Sequence, residues 1–508
     1  MFFYFPFFLL ALMLLLPYDI FINSYFNFGQ NFFNHIIFSL NTISSGCLTM
    51  LLTCGILALI YSLHYFHGNN NSLNSLISLF ILVMVLLILS HTFITSLIFW
   101  EFLGFTSYLL ILFYSIYDSS RAANITLFSS RFGDVGFFFV VALLYSNFNS
   151  PFILLFSLLF IITSKSASFP FISWLLEAMR APTPVSSLVH SSTLVAAGTW
   201  FSLNYLPFVN TFCSDFISFF CFVTIFISAG SALILKDVKK LIALSTCNNI
   251  SWCLVYCFWG EIELSLIQLV SHGIAKCALF CVIGDILSFS YTNQNSFLMG
   301  SYFINFNYNS LISGILVIFL TGLPYQGVYF SKHYFLSGLL FNGNIILFSI
   351  IFFLVLMSYL YSFRLLSVLS NCFNGPNNNL NNSFYLVSLI LFIFSFFNFY
   401  LAANLAEVST LSSFWSLSLI FFQFIFSLIG YFSNGLFSSN WFNSLGGLDI
   451  FVDTNYSFLS SLVHSVHSLL SLFRWEVFSY SLISSMNVSL LFSTLSIYLA
   501  IMMYYFFI

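Results

Sequence analysis

Long apolar segments recur along the whole chain and are separated by short polar stretches. Many come close to the ~20 residues that an α-helix needs to cross ~30 Å of hydrocarbon, so we interpret about fifteen of them as membrane spans. The predicted spans are 1–22, 42–66, 73–91, 93–117, 123–146, 151–176 (broken), 184–206, 212–235, 240–259, 262–289, 310–336 (broken), 344–367, 384–404, 412–433 and 488–508.

Residues 457–485 follow a different pattern. Apolar side chains such as Leu462, Val466 and Leu469 recur there at steps of three and four residues, whereas serines, histidines and Arg474 fill the other positions. This periodicity is typical of an amphipathic helix that lies along a membrane surface rather than crossing it. We therefore predict a lateral helix before the last span.

Composition supports a membrane protein. Of the 508 residues, 60% are hydrophobic and only 5% are charged, whereas about 25% of residues are charged in soluble domains. We predict an all-α polytopic fold in contact with membrane lipids and expect no nucleic-acid partner. The 73 phenylalanines indicate T-rich codons and hence an organelle genome, and the start at Met1 shows no cleavable targeting signal.

The basic residues predict the orientation of the chain. Loops that follow even-numbered spans contain Lys or Arg, the loops on the opposite side contain none, and the positive-inside rule therefore assigns the former to the matrix or cytoplasm. These loop residues are Arg121, Arg180, Lys236, Lys239, Lys240 and Arg364. Four basic residues remain within or at the edges of spans, and they are candidates for function: Arg131, Lys165, Lys276 and Lys332.

Two sets of five spans repeat the same order, with the fourth span of each set interrupted. Pro170 breaks the first and Gly322-Leu323-Pro324 the second, and each broken span carries a lysine, Lys165 or Lys332. Because five is odd, the second set must run inverted, as in many transporters. The predicted organisation is 1–72 N-terminal helices, 73–206 first repeat, 207–367 second repeat, 368–434 additional helices, 435–487 lateral helix and 488–508 terminal anchor.

Several polar residues in the spans are candidates for proton transfer. Glu101 is flanked by apolar residues and is either an interfacial carboxylate or a proton-carrying acid, for which Lys165 could supply the neighbouring positive charge. Arg131 and Asp134 are three residues apart and should pair on one helix face, in either a structural or a gating role.

Histidines supply a second group of candidates. His272 and Lys276 share one helix face, as would suit a water-filled half-channel, whereas His190 is equally consistent with a hydrogen-bonded core residue and a proton relay. His64 and Asp285 lie near span ends, where an interfacial location accounts for them. The ten cysteines lie mostly in apolar runs without any CxxC spacing, so we expect inert thiols and no metal or iron–sulfur site.

Four sequence motifs together resemble the antiporter-like membrane subunits of respiratory complex I. They are Pro182-Thr183-Pro184-Val185-Ser186 followed by His190-Ser191-Ser192-Thr193, DVKKLIALST at 237–246, SHGIAKCALF at 271–280, and GLPYQGVYFSK at 322–332. The lysine that ends the last motif and the lateral helix with one terminal span are similar to the distal member of the family. The chain departs from the family pattern at Leu176, His333 and Phe297-Leu298.

The resemblance implies roles for individual residues. Glu101 and Lys165 would form a charged pair, His190 and His272 would relay protons along a central axis, Lys276 would continue that axis, and Lys332 would stand at a second half-channel. It further implies a mitochondrial inner-membrane protein without a cofactor of its own. FMN, iron–sulfur clusters and ubiquinone would be bound by other subunits, and the nearest partner would be the chain 4 antiporter-like neighbour.

Two alternatives to a complex I subunit follow from the same residues. A stand-alone Mrp-type cation/proton antiporter subunit shares the repeats and the axial residues. A haem-bearing membrane protein would need histidine pairs on facing helices, and the nine histidines form no such pattern.

The lateral helix generates the first testable prediction. Residues 457–485 would form a rod of roughly 43 Å, long enough to cross several helices of ~10 Å diameter. Its leucine and valine stripe offers much apolar area and little charge, so we expect it to clamp the chain to its neighbour. Leu462→Ser with Leu469→Ser should release the chain from the purified complex without changing the proton-to-NADH ratio of complexes that stay whole. A lower ratio in fully assembled complex would instead mean that the helix transmits coupling.

Overall fold

The fold is taken from a computed structural model of the chain. The structure describes residues 25–28, 36–66, 68, 71–90, 92–146, 151–205, 211–289, 300–301, 308–322, 327–341, 345–370, 373–374 and 413–433, together with positions 454, 456–458, 460–461 and 464–465. Most of the predicted lateral helix 457–485 and the predicted spans 1–22, 384–404 and 488–508 lie outside these residues.

Helices account for nearly all of the described residues. In chain order they are α1 Thr42–Tyr65, α2 Asn71–Leu89, α3 Phe93–Ile111, α4 Tyr117–Ser146, α5 Pro151–Ser166, α6 Ser173–Ala178, α7 Thr183–Val185, a π-helical segment Ser186–Thr193, α8 Leu194–Tyr205, α9 Thr211–Ala232, α10 Val238–Phe258, α11 Ile262–Phe289, α12 Tyr308–Thr321, α13 Tyr329–Phe341, α14 Ile345–Ser370 and α15 Ser413–Phe432. Two small strand pairs, which the sequence did not predict, accompany them: antiparallel β1 Tyr25–Phe28 with β2 Ile36–Ser39, and parallel β3 Gly300–Ser301 with β4 Phe373–Asn374.

The all-α polytopic fold is confirmed. Within the described ranges, nine helices are long and apolar enough to cross a membrane, and two shorter apolar helices, Phe152–Ser166 and Ile312–Thr321, form the first halves of the predicted broken spans. Helices suit hydrocarbon because every backbone N–H and C=O inside the span is satisfied within the segment itself.

Both predicted interruptions occur. The first separates α5 from α6, where Ala167 has a φ of +54° and the Phe169–Pro170 peptide is cis. The second separates α12 from α13, where Gly322 and Gly327 have φ values of +78° and +53°. Glycine adopts this left-handed region without steric cost, which explains its presence on both sides of the second break.

A third irregularity, the π-helical segment Ser186–Thr193, was not predicted, because the sequence indicated one regular span over 184–206. The Thr193 hydroxyl donates to the Leu188 carbonyl oxygen five residues earlier at 2.9 Å, and the Ser192 hydroxyl approaches the same oxygen at 3.2 Å. Hydroxyl side chains that compete for backbone acceptors disturb the regular α-helical pattern. Short π-helical turns occur frequently at functional sites, and this one carries His190.

The centre of the molecule is formed by α10 and α11. In an apolar stretch of 18 residues in each helix, all residues of α10 and 94% of those of α11 are buried, whereas only 22% of those of α15 are buried. The π-helical segment, α1 and α12 pack against α11. Polar residues on α10 and α11 are therefore held inside protein rather than in lipid.

Two contacts join regions that the basic residues assign to one side, although Arg364, predicted to lie in a loop, lies inside α14 because that helix continues to Ser370. Arg180 Nη1 lies 3.1 Å from Asp118 Oδ1, which joins the regions after the fourth and sixth predicted spans. Arg364 donates to the carbonyl oxygens of Ala232 and Leu235 at the end of α9. Each contact therefore joins two of the regions that the positive-inside rule assigns to the same side.

Glycines allow the helix that carries Lys165 to pack closely against its neighbours. A Cβ atom at Gly136 of α4 would lie 2.7 Å from the Ser157 carbonyl oxygen of α5, and one at Gly198 of α8 would lie 3.0 Å from the backbone nitrogen of Ser166. Small residues at such crossings are the usual means by which membrane helices approach each other.

This packing predicts the effect of adding a methyl group. Gly136→Ala must separate α4 from α5, because the obstructing atom belongs to the backbone, and we expect a cost of about 1–3 kcal/mol from overpacking. Gly314→Ala is the matched control, since a Cβ there meets nothing within 4 Å. The fraction of chain recovered in assembled complex should fall for Gly136→Ala alone. Equal recovery of both variants would show that the crossing is not tight.

Candidate functional site: buried cations beside the helix breaks

The predicted site residues and their polar neighbours form two groups, one beside each broken span. The first cluster contains Glu101, Arg131, Asp134, Lys165 and His190. The second cluster contains Gln268, His272, Lys276, Ser331 and Lys332.

Lys165 lies in the last turn of α5, immediately before the first break. Its side chain is 1% exposed, and its Nζ lies 5.4 Å from the centre of the Trp100 ring. Among the described residues Nζ has no hydrogen-bond partner and no carboxylate within 4 Å. Gly104 lies beside it, and an added Cβ there would meet Nζ at an ordinary contact distance of 3.6 Å. A buried ammonium without a direct partner is costly, which indicates a functional rather than a structural lysine.

The charges around Lys165 are arranged differently from the sequence expectation. Arg131 Nη1 lies 3.1 Å from Asp134 Oδ2, as expected for a pair three residues apart on α4, and 4.0 Å from Glu101 Oε1. Glu101 and Lys165 make no contact within 4 Å, and the charged pair that the resemblance implies for them stays a prediction. Lys165 still interacts electrostatically with Asp134, Arg131 and Glu101.

His190 is fully buried on the π-helical segment, with its ring centre 6.2 Å from that of Trp174. Neither ring nitrogen makes a hydrogen bond of good geometry to a described residue. A cavity of about 10 Å³ joins His190 to Lys165, and this is about the size that one water molecule requires. Its wall is rich in hydroxyl groups, which belong to Ser107, Thr126, Ser129, Ser130 and Ser164.

Lys276 lies at the centre of the second cluster. Its Nζ donates to the Ser245 hydroxyl of α10 and approaches the Ile242 carbonyl oxygen at 3.4 Å. It lines another cavity of about 10 Å³ together with Asn249, Tyr361 and Ser362. Because water needs two to four polar partners, this polar lining is suited to hold one.

Lys332 is held at the second break. Its Nζ donates to the Thr321 carbonyl oxygen at 3.0 Å and to the Ser358 hydroxyl at 2.9 Å, and it lies 5.5 Å from the centre of the Tyr359 ring. Thr321 is the last residue of α12, whose final carbonyl groups have no partner within the helix and carry partial negative charge. The broken helix thereby stabilises the buried cation.

The structure adds two residues that the sequence did not single out. The Ser331 hydroxyl donates to Gln268 Oε1, and Gln268 precedes His272 by four residues on α11. The Gln268 amide nitrogen and both His272 ring nitrogens are buried and lack hydrogen-bond partners among the described residues. The sequence did contain a signal for Gln268, because Gln268, His272 and Lys276 are spaced at i, i+4 and i+8 and therefore share one face of α11. Since Gln268 contacts Ser331, this polar face extends from Lys276 toward Lys332.

The two clusters approach each other through α11. Gly273 follows His272 on α11, and Ser192 lies two residues after His190 on the π-helical segment. A Cβ at Gly273 would lie 3.5 Å from Ser192 Cβ, so the two segments that carry these histidines are in close contact. The described residues contain no group of three or more His, Cys, Asp or Glu side chains that could hold a metal ion. The chemistry that this arrangement offers is proton transfer.

Comparisons with known proteins identify the family of the chain. A family model described as NADH:quinone oxidoreductase/Mrp antiporter, TM, matches residues 90–358, a range that contains every predicted site residue. NADH-ubiquinone oxidoreductase chain 5 of Caenorhabditis elegans is 34% identical over 412 residues, which cover 77% of this chain and 75% of that one. The chain belongs to the NADH-ubiquinone oxidoreductase chain 5 family. The chain 5 protein of Ascaris suum is 33% identical over 382 residues, which cover 72% of this chain and 68% of that protein.

Solved structures share the fold. The Mrp complex from Dietzia sp. DQ12-45-1b contains a chain with a TM-score of 0.72 and 18% identity, and the match covers 95% of this chain and 60% of that one. The membrane-bound sulfane sulfur reductase, an archaeal respiratory membrane complex, gives a TM-score of 0.65 and 16% identity over 78% of this chain and 88% of that one. The chain 5 family thus has the fold of antiporter-like membrane proteins.

Substitutions in the Arg131–Asp134 pair can distinguish a structural role of the pair from a gating role. Arg131→Gln leaves two carboxylates without their guanidinium, so assembled complex should decrease several-fold. Arg131→Gln with Asp134→Asn also removes the nearer and more buried of these two carboxylates, which is 7% exposed against 37% for Glu101, and should return assembly to within about two-fold of the unmodified chain. Normal pumping by the double variant would establish a purely structural bridge, whereas lost pumping at normal assembly would establish gating. Assembly that stays low in the double variant would contradict the pairing.

Proposed function

We propose that the chain is a proton-translocating subunit in the membrane arm of respiratory complex I, NADH:ubiquinone oxidoreductase. It is a multi-pass protein of the mitochondrial inner membrane. Protons would pass along Glu101, Lys165, His190, His272, Lys276 and Lys332, driven by quinone reduction elsewhere in the complex. Membership of the chain 5 family supports the complex, and the buried cations support the proton path.

The observation that carries this proposal is the burial of three lysines, Lys165, Lys276 and Lys332, at 1%, 1% and 3% exposure. Each lies beside a helix break or a hydroxyl-lined cavity rather than in a closed salt bridge with a carboxylate. Ionisable side chains at membrane depth mark ion and proton paths, because their cost is otherwise not compensated. Three such lysines in two neighbouring clusters support proton conduction more strongly than any single residue.

Coupling requires that the favoured protonation state of these groups can change. Moving a carboxylate or a guanidinium relative to a buried amine alters the balance between its charged and neutral forms. Arg131 is placed to do this, since it lies between Glu101 and Asp134 and also interacts with Lys165. A rearrangement of this first cluster would change proton affinity at Lys165 and pass the change to His190 through the shared cavity.

The chain would contribute no redox group. FMN, iron–sulfur clusters and ubiquinone would be bound by other subunits, and NADH oxidation would occur there. The role of the chain would be to hold protons, transfer them between named side chains and exclude ions other than protons from the apolar interior.

An exposed charged face supports a protein neighbour within the membrane. The side chains of Arg131 and Glu101 are 54% and 37% exposed, although they lie within predicted spans. Exposed Phe102, Phe105 and Phe138 surround them. Because hydrocarbon does not tolerate exposed charge, another membrane-arm subunit should cover this face. We propose the chain 4 antiporter-like subunit, further held by residues 457–485, with membrane lipids around the remaining surface.

The second candidate is a subunit of a stand-alone Mrp-type cation/proton antiporter. The similarity to the Mrp complex supports it, but at 18% identity this similarity concerns the fold alone. Co-purification decides between the two: the complex I subunit should be recovered with NADH dehydrogenase activity, and the antiporter subunit should not.

A carboxylate substitution tests the proton path. Glu101→Gln keeps the shape of the side chain but cannot carry a proton, so proton pumping per NADH should fall strongly while the complex still assembles. Glu261→Gln, on the exposed loop before α11, is the matched control and should pump normally. The measurement is proton uptake into vesicles against NADH oxidised. A normal ratio in assembled Glu101→Gln complex would reduce Glu101 to a structural carboxylate.

A further inference from the structure

A contact between a histidine and a carboxylate, outside both clusters, joins the ends of two helices. His64 Nδ1 of α1 lies 3.5 Å from Asp285 Oδ1 of α11. The histidine side chain is 33% exposed, whereas the carboxylate is only 3% exposed. The sequence assigned both residues to span ends without connecting them. One partner thus reaches the surface while the other is enclosed.

The pair lies on the side of the molecule that carries the basic loops. His64 ends the second predicted span and Asp285 lies near the end of the tenth, and both even-numbered ends face the matrix by the positive-inside rule. A contact of Tyr61, three residues before His64, supports this location. Its hydroxyl lies 3.5 Å from that of Thr183, and Thr183 follows the basic region around Arg180 in the sequence. A proton acceptor here would exchange with matrix water.

Hydroxyl groups continue inward from the pair. The Tyr61 and Thr183 hydroxyls lie against Gly284, which directly precedes Asp285, so any side chain at that glycine would collide with them. Tyr61 also interacts electrostatically with Asp285, Cys281 and Tyr65, which are the titratable neighbours on α1 and α11. The glycine therefore keeps polar oxygen atoms next to the buried carboxylate.

The path then reaches the first cluster. Thr183 opens the segment that carries His190, and buried hydroxyls line this segment between the two residues. The Ser186 hydroxyl donates to the Thr183 carbonyl oxygen at 2.9 Å, the Ser187 hydroxyl donates to the Pro184 carbonyl oxygen at 2.8 Å, and the Ser191 hydroxyl donates to the Ser187 carbonyl oxygen. His190 follows on the same segment and shares the cavity with Lys165.

We propose that His64 and Asp285 form the proton-uptake site on the matrix side, which supplies His190 along the hydroxyl-lined segment 183–191. The inference rests on the proposed function. Water would give a proton to Nε2 of the neutral His64 ring. The Nδ1–H bond would then break and an O–H bond would form on the Asp285 carboxylate, which returns the ring to its neutral form. The exposed histidine collects protons, and the buried carboxylate passes them inward.

The test compares four variants of the assembled complex in vesicles, scored by proton uptake per NADH oxidised. Asp285→Asn cannot accept the proton, so its loss of pumping should equal that of Lys165→Met, which interrupts the same path further in. Asp285→Glu keeps the carboxylate and should recover most of the pumping. Asp237→Asn is the matched control, because it removes another matrix-side carboxylate, 3.5 Å from Lys240, and should pump normally.

The outcomes separate this inference from the proposed function. Normal pumping by Lys165→Met would contradict the function itself. Lost pumping by Lys165→Met with normal pumping by Asp285→Asn would overturn only the uptake site. If Asp285→Asn fails to assemble, His64→Gln replaces it, since that variant keeps the buried carboxylate but removes the group that collects protons. Assembled His64→Gln complex with a normal ratio would then show that the pair only fastens α1 to α11.

Discussion

Hydrocarbon does not solvate charge or unpaired backbone groups, and the interior of this chain is arranged around that constraint. Two spans are broken, and each break puts free carbonyl groups or a cavity beside a buried lysine. At the second break the constraint is met directly, because Lys332 donates to the Thr321 carbonyl oxygen that the interruption releases. At the first break, Lys165 instead lies near the Trp100 ring, the hydroxyl groups that line the cavity, and carboxylates that it does not contact directly. The two lysines therefore have different surroundings: Lys332 has fixed protein acceptors, whereas Lys165 has no hydrogen-bond partner among the described residues.

The surrounding packing follows from the need to enclose these cations. Completely buried α10 and nearly completely buried α11 supply the polar face of Gln268, His272 and Lys276, and this face could not exist on a lipid-exposed helix. Glycines at 136 and 198 bring α4 and α8 against α5 closely enough to exclude lipid from Lys165. Tight apolar packing and a proton path are thus parts of one arrangement, since each buried charge depends on the walls around it.

The sequence predicted those features that depend on local pattern. Apolar runs of span length, interruptions at proline and glycine, and lysines beside them could be identified because each is encoded within a few neighbouring residues. The approach of Arg131 to Glu101 could not be predicted, because it depends on how α3 and α4 are rotated against each other. His64 with Asp285 and Ser331 with Gln268 were missed because these partners are far apart in sequence. The π-helical segment had a signal in its serine- and threonine-rich composition, but that composition is also compatible with a regular helix.

Observing whether ordered water lies beside the buried lysines is the most direct test of a hydrated proton path. The measurement is an experimental structure of the chain within its complex, at a resolution that shows individual water molecules. We expect one water in the cavity shared by Lys165 and His190 and another beside Lys276 and Asn249, each within about 3.2 Å of the lysine Nζ. Cavities closed by side chains, with both lysines hydrogen-bonded to protein alone, would contradict proton conduction through these residues.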